Sequence, residues 1–388
     1  MSVAAAPGEA LVRRAWWQAF RVPFRAAFVA AHGTMTYREG IVVGVETTDG
    51  RLALGEASPL TSYSGGDIGE ASEALRQLAT GVVGKPVDTV WRCDLDLRGI
   101  GAGAEAAARC GIETATADLL SRARGVPLSA WLAERCGTSA SAWVEVNGTI
   151  DATGPEEAAA EARSFVGRGF RTLKVKVGTG REGDIARMRA VREAAGDDVE
   201  IRVDANGGWS ESEAEYMLGR CAEFGVALCE QPVSPAGDEA MATMARLRAG
   251  SPVRIAVDEG CRTLGDVEAI VATGAADAVV IKPMASGLKV AVAMVARANE
   301  AGLPVIVTTM FDAGVGTALA MHLAAALGGG APACGLATLG HLEHPLAKGV
   351  PPVKQGAVRL SKRAGPGVTL DARAFERYAV GPRVEVRA

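Results

Sequence analysis

Five apolar runs in the middle of this chain each stop at residues able to do chemistry. Residues 173–177 carry Lys174-Val175-Lys176, and residues 199–203 lead into Asp204-Ala205-Asn206. Residues 226–229 end at Glu230-Gln231-Pro232, residues 253–257 at Asp258-Glu259, and residues 278–281 at Lys282-Pro283. Asp204, Glu230 and Asp258 make an all-oxygen donor set of the kind that suits Mg2+, with Mn2+ as a substitute. Three such acids at one place would repel each other without a cation. Lys176 and Lys282 flank the set from opposite sides. Alternate residues of a strand share a face, so Lys174 stands beside Lys176. Two neighbouring ammonium groups lower the proton affinity of one of them, as a general base at neutral pH requires. The chemistry this suits is removal of a proton next to a carboxylate. Its loss builds a second negative charge on the carboxylate oxygens, and a cation stabilises that charge as it develops. A single lysine or aspartate at a strand end is ordinarily a solvated rim residue or a helix cap. Five successive strand ends in register point instead to one site.

What positions these residues is a repeating pattern between residues 140 and 342. Apolar runs at 144–150, 173–177, 199–203, 226–229, 253–257, 278–281, 304–308 and 334–337 alternate with Ala-rich helical stretches. The helices include residues 155–167, 183–195, 211–223, 238–249, 264–273, 286–301 and 314–327. Continuous apolar strands are those of a parallel sheet covered on both sides, and eight βα units favour closure into a (β/α) TIM-type barrel. The C-terminal strand ends of such a barrel converge on one mouth. Before it, strands at 26–30, 41–47 and 52–56 and helices at 67–78 and 102–123 form an α+β capping domain. The expected division is a cap at 1–125, a barrel at 126–345, and a segment at 346–388 that has lost the βα period and returns to the cap.

The composition narrows the function classes. With 388 residues, 48% hydrophobic, 22% charged and a net charge of -4, the chain carries no basic block for nucleic acid or an anionic membrane. No apolar run reaches the ~20 residues that span a bilayer. The start, Met1 to Gly8, is uncharged and precedes Arg13-Arg14, the reverse of a secretory signal, so a cytoplasmic location is expected. The seven cysteines form no Cys-x-x-Cys pair, which argues against disulfides and zinc. His341 and His344 bracket Glu343, yet further ligands for a metal are missing. Gly101-Ala102-Gly103-Ala104-Glu105-Ala106 fits a relaxed dinucleotide fingerprint, but a charged stretch, not an apolar strand, precedes it.

The register of lysines and acids resembles the enolase superfamily, in its muconate-lactonizing subgroup, over nearly the whole chain. The resemblance implies that Asp204, Glu230 and Asp258 bind Mg2+ and that Lys176 and Lys282 face the two sides of a small carboxylate substrate. Lys174, Asn206 and Glu259 would support them. Phe24-Arg25, His32-Gly33-Thr34, Arg38-Glu39-Gly40, Gly55-Glu56-Ala57-Ser58-Pro59-Leu60 and Gly335-Leu336-Ala337-Thr338 look like the o-succinylbenzoate synthase group. That likeness implies a lyase: syn dehydration of a succinylated hydroxycyclohexadiene carboxylate, a step toward menaquinone. Lys176 would take the α-proton and return it to the departing hydroxyl, while Lys282 stabilises the enolate. Tyr63, Ser286, Gly287 and Thr308 are expected to meet the substrate. N-Succinylamino-acid racemase, which uses the same lysines, and muconate cycloisomerase are alternatives. Dipeptide epimerases of the subgroup hold the substrate ammonium with Asp-x-Asp at strand eight, where this chain has Gly335 and Ala337, which argues against a dipeptide substrate. A His at the end of strand seven, as in mandelate-racemase-like relatives, is absent from residues 305–312. A barrel kept only for binding would show a missing ligand or lysine, and none is missing. A homo-oligomer is left open.

Overall fold

The computed structural model describes residues 10–30, 33–237 and 239–388. The Met1–Gly8 stretch, His32 and Asp238 lie outside the described residues. Three antiparallel strands open the fold: β1 (Val12–Ala30), β2 (Gly33–Thr47) and β3 (Leu52–Ala57). β1 begins far ahead of the expected 26–30, and its stretch Ala15-Trp16-Trp17 is apolar without alternation. Trp16 and Trp17 are both buried, since each face of this sheet is covered. Trp17 joins the main core and donates to Ser72 Oγ on helix Ile68–Val82 at 2.9 Å, whereas Trp16 packs with Phe20, Phe24 and Leu54 on the other face.

The parallel sheet holds β4 (Gly148–Ile150), β5 (Thr172–Lys176), β6 (Glu200–Asp204), β7 (Val226–Glu230), β8 (Arg254–Val257), β9 (Ala278–Ile281) and β10 (Val305–Val307), neighbours in that order. Every residue of β9 and β10 is buried, as helix-covered parallel strands require. The sheet curls into the expected (β/α) barrel, with two departures from the expected strands. The run at 144–150 is split: Trp143–Glu145 pairs with Ala357–Arg359, and only Gly148–Ile150 enters the barrel sheet. The run at 334–337 shrinks to bridges, Cys334 to Val146 and Gly335 to Thr308. Backbone bonds close the ring there, from Cys334 N–H to Glu145 O (2.8 Å) and from Gly335 N–H to Val307 O (3.0 Å). A last strand, β11 (Ala379–Arg387), pairs antiparallel with β1.

Alternation along the strands sets the floor of the mouth. Leu228, Ala256, Val280 and Ile306 each precede Glu230, Asp258, Lys282 and Thr308 by two residues, and with Ala278 they form a separate buried apolar cluster. The polar layer therefore rests on packed hydrocarbon. The cap is fastened over it from strand seven. Glu56 at the end of β3 accepts from Ser58 Oγ (2.8 Å) and from the N–H groups of Ala313 (2.7 Å) and Gly316 (2.8 Å). Arg38 of β2, also buried, donates to the carbonyls of Met310 (3.2 Å), Pro59 (2.8 Å) and Ser58. The glycine-rich start of helix Ala102–Ala123 has a packing role: a Cβ on Gly103 would lie 2.2 Å from the carbonyl oxygens of Ser64 and Gly65. That contact seats the loop carrying Tyr63.

Candidate active site

The acids and lysines meet at the mouth. Asp204, Glu230 and Asp258 are buried, and each offers a carboxylate oxygen within 4.8 Å of the others. Lys174 Nζ donates to Asp204 Oδ2 at 3.0 Å and Glu230 Oε2 at 2.9 Å. Lys176 Nζ donates to the same Asp204 oxygen at 2.8 Å and to Asn206 Oδ1 at 2.9 Å. Lys282 Nζ donates to Asp258 Oδ2 at 2.8 Å. Lys176 ends the second strand of the ring and Lys282 follows the sixth, so they stand half a turn apart.

Around them the strand ends are bent out of regular geometry. Asn206 and Gln231 adopt left-handed backbone (φ 46° and 39°) just past two of the acids, and Phe311 does so past β10 (φ 59°). These turns aim side chains back across the mouth. Asn206 bridges Lys176 and Glu259 through its carbonyl and amide groups. Gln231 Oε1 accepts from the Asp258 N–H at 3.0 Å, tying the fourth strand end to the fifth.

A cavity of about 140 Å³ opens over this layer, lined by Lys174, Lys176, Asp204, Asn206, Asp258, Glu259 and Lys282. Thr308, Gly335 and Ala337 form the wall of strands seven and eight, and Met35, Leu60 and Tyr63 reach in from the cap. Tyr63 donates to Asp258 Oδ1 at 2.9 Å, and Lys282 Nζ lies 3.7 Å from the centre of its ring. Ser286 and Gly287 are not on this wall. Pro283 starts a helical turn directly after Lys282, and the chain is carried toward Arg109 and Glu113 of the cap helix. Sequence reasoning passed over Asp151, Thr149 and Gln231. Thr149 lies on the split first strand and Asp151 directly after it, and Gln231 appeared only as a neighbour of Glu230. His341 and His344 do not come together: His341 Nε2 is 3.9 Å from Asp151 Oδ2, while His344 accepts from the Leu346 N–H.

The electrostatics are those of an acid cluster held by lysines. Burial would raise Asp204, but the charges of Lys174 and Lys176 outweigh it and hold this carboxyl far below its usual range. Glu230 is pushed up by burial, with help from Asp204 and Asp258. Burial favours the neutral amine of Lys174, yet Asp204, Glu230 and Asp258 prevail and raise it well above an ordinary lysine. At Lys174 the direction is thus opposite to that expected from two neighbouring ammonium groups, because the acids in contact outweigh the second lysine. The donor set fits a hard divalent cation: three buried carboxylates, oxygen only.

Residues 15–132 match the family described as Mandelate racemase / muconate lactonizing enzyme, N-terminal domain, and residues 157–374 match Enolase C-terminal domain-like. The chain is 32% identical over 357 residues to the aromatic dipeptide epimerase of Herpetosiphon aurantiacus, covering 91% of this chain and 97% of that protein. It is 28% identical over 313 residues to the N-succinyl-L-Arg/Lys racemase of Bacillus cereus, covering 79% and 82%. Among solved structures, the dipeptide epimerase of Enterococcus faecalis complexed with Mg and the dipeptide L-Leu-L-Tyr superposes with a TM-score of 0.83 at 25% identity, covering 92% of this chain and 99% of that one. The expectation of a lyase is overturned by these relatives, which are epimerases and racemases. The o-succinylbenzoate synthase of Thermobifida fusca is 39% identical over 201 residues, covering only 50% of this chain and 60% of that protein. The chain belongs to the mandelate racemase/muconate lactonizing enzyme family of the enolase superfamily.

Proposed function

We propose that this chain is a Mg2+-dependent racemase or epimerase that removes and returns the α-proton of an amino-acid-derived carboxylate. The observation that carries the reading is the placing of Lys176 and Lys282 half a barrel turn apart, each tied to a different acid of one cluster. A planar enediolate between two amines can be reprotonated from either side, which inverts the centre; a single amine would return the proton to the face it came from. The epimerase and racemase relatives support the same reaction.

In this reading Asp204, Glu230 and Asp258 hold the cation, which supplies positive charge against the carboxylate oxygens where negative charge develops. The residues of the chain do the rest. Lys176, as neutral amine, takes the proton from one face, and Lys282, as ammonium, donates from the other; the opposite enantiomer exchanges the two roles. Lys174, bound to Asp204 and Glu230, keeps those acids in place, and Asn206 orients Lys176. The apolar floor beneath and the Met35, Leu60 and Tyr63 roof limit water around the carbanion.

The test is racemisation followed by polarimetry on a panel of dipeptides and N-acylated amino acids. Activity should require Mg2+, vanish with excess EDTA, and fall at least about 1,000-fold in Lys176→Ala or Lys282→Ala. Turnover that persists in EDTA, or near-normal racemisation with either lysine removed, would sink the reading.

A further inference from the structure

The wall formed by the first and eighth barrel strands carries a carboxylate that the proton transfer does not use. Asp151 directly follows β4, whose register pairs Thr149 with Lys174 and Ile150 with Val175. One residue further, Asp151 comes alongside Lys176, and strand alternation turns Thr149 and Asp151 toward the same cavity as the two lysines, which all four line. Its backbone is fixed: the N–H groups of Asp151 and Ala152 donate to Glu161 Oε2 at 3.0 and 3.3 Å. Its side chain is not satisfied. Oδ1 is buried with no hydrogen-bond partner among the described residues, and Oδ2 stands 3.9 Å from His341 Nε2, beyond hydrogen-bond reach. The other cavity acids are engaged, Asp204 by Lys174 and Lys176, Asp258 by Lys282 and Tyr63, and Glu259 through one oxygen by Asn206. The second Glu259 oxygen is also unpartnered, but that residue adjoins Asp258 within the cation-binding acids.

We propose that Asp151 anchors a cationic nitrogen of the substrate. The inference rests on the racemase reading and specifies its substrate class. With the α-carbon between Lys176 and Lys282 and the carboxylate toward the acid cluster, a substituent extends toward strands eight and one. Strand eight has no acid to offer there. A Cβ on Gly335 would lie 1.9 Å from Thr308 Oγ1, so that position admits no side chain without moving Thr308. Charge points the same way. Five carboxylates (Asp151, Asp204, Glu230, Asp258 and Glu259) face three lysines (174, 176 and 282), of which either Lys176 or Lys282 is the neutral base, so the acids exceed the ammonium groups by three and a divalent cation leaves one negative charge over. A cationic nitrogen on the substrate offsets that charge. A dianionic succinyl compound would press a second carboxylate toward Asp151. Burial raises Asp151 in this wall, so a cationic partner also relieves an unfavourable ionisation. The nitrogen could belong to the amino terminus of a dipeptide or to the end of a basic side chain.

Four probes distinguish these: L-Ala-L-Leu, its N-acetyl derivative, N-acetyl-L-lysine and N-succinyl-L-leucine. Each is followed by α-proton exchange in D2O with Mg2+, using the wild-type chain, Asp151→Asn and Asp151→Glu. The expected result is that the wild type prefers L-Ala-L-Leu (terminal ammonium) or N-acetyl-L-lysine (side chain) to both neutral-ended and succinylated probes. Asp151→Asn should then lower kcat/KM for the preferred probe about 100-fold, mainly through KM, and raise it for N-succinyl-L-leucine, while Asp151→Glu keeps the wild-type order. A wild type that prefers N-succinyl-L-leucine, or an Asp151→Asn that slows all probes alike, overturns the inference and leaves the racemase reading standing. No exchange with any probe overturns both.

Discussion

Lys174 and Lys176 share a single oxygen of Asp204, while Asp258 is held by Lys282 on one side and the Tyr63 hydroxyl on the other. The two proposed bases are therefore set by the same acids that are proposed to bind the cation, and the cap enters that set through one hydroxyl. Tyr63 itself is held neutral far above neutrality by burial and by the charge of Asp258, so it acts as a donor and not as a base. Removing the hydroxyl leaves Asp258 with Lys282 alone. Tyr63→Phe should weaken Mg2+ binding by about 10-fold or more, read by titrating the metal against activity, with the fold unchanged by circular dichroism. Unaltered Mg2+ dependence would show that the Tyr63–Asp258 bond has no part in the site.

At the scale of elements, the lysines, acids and helices that carry the site could be read from sequence because each strand end is a local signal, an apolar run broken by one polar residue type. Helix Ala102–Ala123 was read with its observed ends, and β5 to β9 fall where the runs predicted. What sequence could not show was decided by neighbours distant in the chain. The first strand breaks because Val144 pairs with Val358, more than 200 positions away, and this break also hid Asp151. The long β1 lacks alternation over Ala15-Trp16-Trp17 because both its faces are covered there. The eighth strand survives only as bridges, where Gly335 is required by the approach of Thr308 and not by a turn. Gly335→Ala should therefore destabilise the fold by about 1–3 kcal/mol, visible as a lower melting temperature. Thr308→Ala in the same chain should recover part of that loss, because the closest clash is with the hydroxyl. Equal or greater loss in the double variant would mean the strain lies elsewhere.

The whole molecule depends on how cap and barrel are joined, and the joint contains more acid than base. Glu56 and Asp312 face the single guanidinium of Arg38, which spends its donors on carbonyls, and neither oxygen of Asp312 has a hydrogen-bond partner among the described residues. Burial, with Glu56 adding to it, pushes Asp312 up to about 7 from 3.8. A carboxyl raised in the folded state binds its proton more tightly there than in the unfolded chain. Its contribution is complete below about pH 4 and is lost as the pH rises through about 7. Asp312→Asn should thus raise the melting temperature above pH 7, by a stability gain on the order of a few kcal/mol, and flatten its fall between pH 4 and 7. A variant no more stable at pH 8 than the wild type would exclude an ionised, unpaired Asp312. A joint of this kind holds the cap loops over the two lysines, and those lysines carry the central claim. The most direct test is solvent deuterium wash-in, followed by proton NMR on each enantiomer separately in Lys282→Ala with Mg2+ present. With Lys176 alone remaining, deuterium should enter the α-position of one enantiomer with no racemisation, whereas exchange into both enantiomers, or into neither, would contradict the two-lysine mechanism.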